Sequence, residues 1–132
     1  DSALLLAPDE TSGPLPSRLL AREVLGWKLH ADLVCLAGCG SAMGMSSASE
    51  GQLGLQTAFL SAGARALLVT LWPVDDRSAR RTMEVFHRAW TNGTDAADAL
   101  REAWRELERQ TRSPWHWAAF ALFGRAPEGS LT

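Results

Sequence analysis

A chain of 132 residues with 46% apolar side chains has the size of one domain and enough apolar material for a core. Thirteen basic against 15 acidic side chains leave a net charge of -2 with no basic block, which argues against nucleic acid as a partner. Two cysteines make no disulfide framework, no apolar run reaches membrane-spanning length and no secretion pattern opens the chain, so a reducing, cytoplasmic setting without a membrane partner is expected.

Residues 2–7 form a short apolar run, and the prolines and glycine of residues 8–16 mark an irregular connection. Residues 19–25 read as a short helix ending near Gly26. Residues 32–37 combine branched and long apolar side chains and then run into glycine, the pattern of a buried strand. In residues 52–62, Leu55, Phe59 and Ala62 recur at helical spacing before Gly63. Residues 66–71 return to strand character, closed by Pro73 and the acidic pair Asp75 and Asp76. Strand, crossover helix and strand predict a right-handed parallel unit.

Ala79, Met83, Phe86 and Trp90 recur at three- and four-residue steps, giving a third helix one buried side until Asn92 and Gly93 break it. Asp95 is placed to cap a fourth helix, whose stripe runs through Ala96, Ala99, Leu100, Ala103, Trp104 and Leu107. Two adjacent helices are therefore expected on one sheet surface. Residues 115–123 are almost continuously apolar and read as a final strand ending at Gly124; residues 127–132 read as a tail, leaving 1–126 as the domain. The predicted architecture is α/β, with a mixed, mostly parallel sheet flanked by helices. Three strands are few for such a sheet, whose faces and edges need cover, so a further segment or chain is expected to complete it.

Cys39 is the residue most nearly built as a nucleophile. It follows the apolar strand and sits among Gly38, Gly40 and Ser41, whose small side chains let a carbonyl approach and whose N–H groups can face it. Packing inside the strand accounts for Cys35. His30, His87 and His116 offer no persuasive base for Cys39, and the histidines and cysteines lack metal-ligand spacing. No nucleotide-binding glycine pattern or cofactor signature is present. Asp75 and Asp76 should emerge at the carboxyl end of the strand beside that of Cys39, where ligands of open sheets bind; one can line a cleft, while Asp76 can instead cap the helix beginning near Ser78. Trp72 can wall a peptide groove or close the core. Glu50 can position substrate or stabilise the start of the following helix.

Taken together, the blocks at residues 32–39 (DLVCLAGC), 51–64 and 71–76 (LWPVDD) resemble the carboxyl-terminal portion of a CHAT domain, a caspase-like family often associated with tetratricopeptide repeats. Residues 117–124 resemble its terminal strand and residues 2–6 the segment before the cysteine block. The resemblance implies a caspase-like fold and a cysteine endopeptidase, a hydrolase of the thiol-protease type. Cys39 then matches the nucleophile, and Trp72, Asp75 and Asp76 match a strand-edge loop of the active site. The family histidine lies before the segment like residues 2–6, so a histidine-bearing amino-terminal segment or chain would be a partner, with a peptide or protein as substrate and a tetratricopeptide-repeat region as a further partner. The loop around Cys39 departs from the family pattern, which leaves a second reading open: a noncatalytic CHAT-like module that binds peptide or protein.

Overall fold

The computed structural model describes residues 3–6, 17–36 and 48–125, with side-chain surroundings for 18–36 and 54–125. Along the chain run β1 (Ala3–Leu6), β2 (Ser17–Leu20), α1 (Ala21–Leu25), β3 (Leu33–Leu36), α2 (Ala48–Ser61), β4 (Ala66–Thr70), α3 (Asp76–Thr91), α4 (Ala96–Gln110), α5 (Pro114–Trp117) and β5 (Phe120–Gly124). β1 and β2 pair antiparallel, with Ala3 opposite Leu20. The other three strands form one sheet in the order β3-β4-β5; β3 runs parallel to β4 and β5 antiparallel to it.

β4 is central because all five of its residues are apolar or small enough to be buried on both faces. Side-chain alternation then divides the core in two. Leu33, Cys35, Leu68, Phe120 and Leu122 face α3 and α4, while Val34, Leu36, Leu67 and Val69 face α1 and α2. Of the stripe expected of α3, Phe86 is buried and Ala79, Met83 and Trp90 are partly buried against the same core, which Val85 and Ala89 join; of the α4 stripe, Ala96, Ala99, Leu100, Ala103 and Leu107 are buried and Trp104 partly so. Asp95 caps α4 as expected, accepting from the N–H groups of Ala97 and Asp98.

α2 ends in a tight motif that also positions the segment before β3. Gly63 adopts φ 114°, the Gly63 N–H donates to the Leu60 carbonyl and the Ala64 N–H to the Phe59 carbonyl. Against this turn, Leu29 N–H donates to the Ala62 carbonyl at 2.7 Å and Arg65 N–H to the Ala31 carbonyl at 2.9 Å. These bonds fix where β3 enters the sheet.

The fold corrects the expected caspase-like, mostly parallel α/β sheet. Among the described residues helix outweighs strand, and the sheet is small, open and mixed, with one parallel and one antiparallel pair. Much of the difference arises at residues 114–124. Pro114 lacks the N–H that a sheet ladder needs but suits the first position of a helix, so residues read as strand begin instead as α5. Ala118 N–H closes that turn on the Pro114 carbonyl at 2.8 Å, and only Phe120–Gly124 remains to pair antiparallel with β4. Nearer the start, the helix read at residues 19–25 is shortened to α1, because Leu19 and Leu20 pair with β1. The tail at 127–132 lies outside the described residues. Among those described, no helix is long and apolar enough to cross a membrane.

Candidate functional site

The end of β4 is joined to the start of β5 by Leu71 N–H, which donates to the Ala119 carbonyl at 2.7 Å. That bond brings the residues after β4 against α5, more than forty positions along the chain. Here the Trp72 and Trp115 rings stack with centroids 5.2 Å apart and planes 25° from parallel. Trp72 Nε1–H donates to the Trp115 carbonyl at 2.9 Å, so the polar atom of the inner ring is satisfied. Trp72 is partly buried against the α3–α4 core and therefore closes it, while Trp115 stays 57% exposed and Leu71 42% exposed. The result is an apolar surface with one ring anchored and one presented to solvent.

Beside the aromatic pair, Asp75 is the N-cap of α3, accepting from Ser78 N–H at 2.9 Å. This corrects the capping role considered for Asp76, which is instead the first residue of the helix. The second carboxylate oxygen of Asp75 lies 2.8 Å from His116 Nδ1. Hydrogen bonds from the Ser78 side chain and backbone, then the one from His116, lower the Asp75 carboxyl to about 2. An ionised Asp75 only accepts, so His116 Nδ1 carries the proton in this bond. His116 is thus occupied in joining α5 to the start of α3.

Asp75 carries a testable share of the stability. Its folded value lies below the ordinary aspartate value near 3.9, so its contribution is complete above about pH 4 and is lost as pH falls through about 2. Asp75→Ala is expected to cost about 1 kcal/mol at pH 7, and Asp75→Asn less, because asparagine also caps helices. In denaturant titrations at pH 7 and pH 2, the gap between wild type and Asp75→Ala should narrow at the lower pH. An equal gap at both would remove the charge from the explanation.

From Asp75 and His116 an open groove of about 710 Å³ runs between α3 and the end of α4. Arg77, Arg80, Arg81 and Glu84 line its α3 side and Gln110 and Thr111 its α4 side. Glu84 accepts from Arg80 at 2.8 Å and from Arg81 at 3.5 Å, and Arg81 also reaches across to Glu106 on α4.

Gly38, Cys39, Gly40 and Ser41 lie outside the described residues, and Glu50 is described only as part of the first turn of α2. Cys35 sits in the sheet facing the α3–α4 core, where burial pushes its thiol up to about 11 and disfavours the reactive thiolate. None of the described histidines pairs with Cys35, the one cysteine among the described residues: His116 pairs with Asp75, His87 lies against Phe86 and Trp90, and His30 is exposed. Among the described residues there is also no group of three or more His, Cys, Asp or Glu side chains that could hold a metal ion. The expectation of a cysteine endopeptidase, with the hydrolase and thiol-protease chemistry attached to it, is corrected on these grounds: the described fold is predominantly helical and assembles no cysteine–histidine pair. For Cys35 the expected result is protection. Iodoacetamide at pH 8 followed by peptide mapping should leave it unmodified in the native protein and modify it in denaturant; rapid native labelling would contradict its burial.

His116 and Trp115 are the site residues that the sequence reading misassigned, since both fall in the run taken as strand. The signal was Ser113 followed by Pro114, a helix-start pair that takes the next residues out of period-two alternation.

A family model described as the CHAT domain matches residues 1–125. The chain belongs to the CHAT domain family. Tetratricopeptide repeat protein 28 of Mus musculus and its counterpart from Homo sapiens are each 35% identical to this CHAT chain over 114 residues, 84% of its length. The chain spans 5% of the length of those curated relatives.

Proposed function

We propose that this CHAT chain is a noncatalytic peptide-binding or protein-interaction module whose docking point is the corner formed by Trp72 and Trp115. The observation that carries the reading is the stacked pair itself, one ring held by a hydrogen bond and the other more than half exposed. A large ring already fixed in place binds an apolar side chain with little loss of conformational freedom, which is why tryptophan dominates many interfaces. Trp72 then supports the docking ring, and Asp75 borders it through His116, which follows Trp115. The names of the two relatives make a tetratricopeptide-repeat region of the same polypeptide a natural partner, alongside free peptide segments.

Selection of a random peptide display library on the purified full-length protein tests the proposal. Binding of the enriched peptides is expected to weaken about tenfold in Trp115→Ala, equivalent to about 1.4 kcal/mol, and to be unchanged in Cys39→Ala. Equal binding by wild type and Trp115→Ala overturns the reading. So does hydrolysis of the bound peptides that Cys39→Ala abolishes.

A further inference from the structure

We infer that the module selects acidic peptides, with the stretch beside the residue docked on Trp115 lying in the α3–α4 groove and its carboxylates facing Arg77 and Arg80. The inference rests on the peptide-binding reading of the aromatic corner and adds the chemistry of the partner. Two observations carry it. First, the groove is continuous with the corner, because Asp75 and His116 line it and His116 directly follows the docking ring in sequence. A peptide anchored on Trp115 therefore has a path along α3, and about 710 Å³ accommodates a peptide segment rather than a single side chain.

Second, the groove holds one arginine without an ionic partner among the described residues and a second whose guanidinium is only partly engaged. Its carboxylates are already engaged as acceptors: Asp75 by Ser78 and His116, and Glu84 by Arg80 and Arg81. Arg81 is itself held by Glu106. Arg77, by contrast, lines the groove with no ion pair among the described residues, and the Arg80 side chain is 81% exposed and engages Glu84 through Nε. The guanidinium nitrogens facing solvent offer the paired donors that suit a carboxylate. Ser78, Gln110 and Thr111 add neutral hydrogen-bonding groups and no opposing charge. A basic segment would meet Arg77 and Arg80 as like charges, and like-charge contact is a strong device against a wrong partner.

The same library selection on the full-length protein decides the matter when run in parallel on wild type, Trp115→Ala and the double variant Arg77→Gln/Arg80→Gln. Both arginines are exposed, so the double variant is expected to fold as wild type. Peptides enriched on wild type should carry an excess of aspartate and glutamate over the unselected library. Replacing one such residue by its amide in a recovered peptide should weaken binding about threefold to fivefold, and by less as salt is raised. In the double variant the acidic excess should vanish while Trp115-dependent binding persists. A Trp115-dependent pool without acidic excess, or with an excess the double variant retains, overturns the inference and leaves the aromatic corner standing as a peptide site. A selection that yields no Trp115-dependent pool overturns both.

Discussion

Phe86→Ala is expected to destabilise the protein by roughly 3–5 kcal/mol and to lower its melting temperature by on the order of 10–20 °C. Phe86 is 0% exposed and lies where α3, α4 and the sheet meet, in one cluster with Leu68, Val85, Leu100 and Phe120. Its ring also stacks on Trp90, with centroids 6.1 Å apart. Truncation removes these contacts and leaves a void lined by apolar groups, where water finds no partners and the helix cannot close without pulling away from β4. Phe86→Leu restores much of the volume and should cost clearly less. Urea titration followed by tryptophan fluorescence measures both. A loss below about 1 kcal/mol for alanine would show that Phe86 does not join α3 to the sheet in the way described.

Gly63→Ala should destabilise by about 2–4 kcal/mol although it adds only a methyl group. The first cause is the backbone: φ of 114° is a conformation that side chains with a Cβ rarely adopt. The second is contact, because a Cβ on Gly63 would collide with the backbone carbonyl of Leu29. Relief would require Leu29 to move, yet its N–H is bonded to the neighbouring Ala62 carbonyl. The strain therefore spreads into the segment that leads to β3. Gly26→Ala is the matched control, since Gly26 has φ of -79° and a Cβ there lies 3.4 Å from its nearest neighbour, the Glu23 carbonyl oxygen. It should be close to neutral or slightly stabilising. Equal effects at the two glycines would remove the conformational argument.

The candidate site was only partly legible in the sequence. Trp72, Asp75 and Asp76 stood out because proline and acidic residues closing an apolar strand mark the edge where ligands bind. Their roles did not follow from that signal, since a carboxylate that caps a helix and one that lines a cleft have the same local sequence. Ser78 N–H and His116 decide the role of Asp75, and His116 is 41 residues away. Trp115 was read as the first residue of a strand because a nearly continuous apolar run of nine residues satisfies either a buried strand or a helical turn followed by a short strand. The noncatalytic reading was also available from sequence, in the altered loop around Cys39, but without a described cysteine–histidine pair it becomes the better supported of the two.

What the chain determined by itself is the set of local elements with strong internal periods: α3 and α4 with their buried stripes, the Asp95 cap, the apolar β4 and the glycine stops at Gly63 and Gly93. These depend on neighbours within a few residues, through helical spacing, side-chain capping and backbone conformation, so a linear reading contains their causes. Tertiary structure alone decided the antiparallel return of β5, the pairing of β1 with β2 and the meeting of Trp72 with Trp115 and of Asp75 with His116. Strand direction and side-chain partnership across such separations are set by how the whole chain buries β4 on both faces, a global packing condition that no local period encodes.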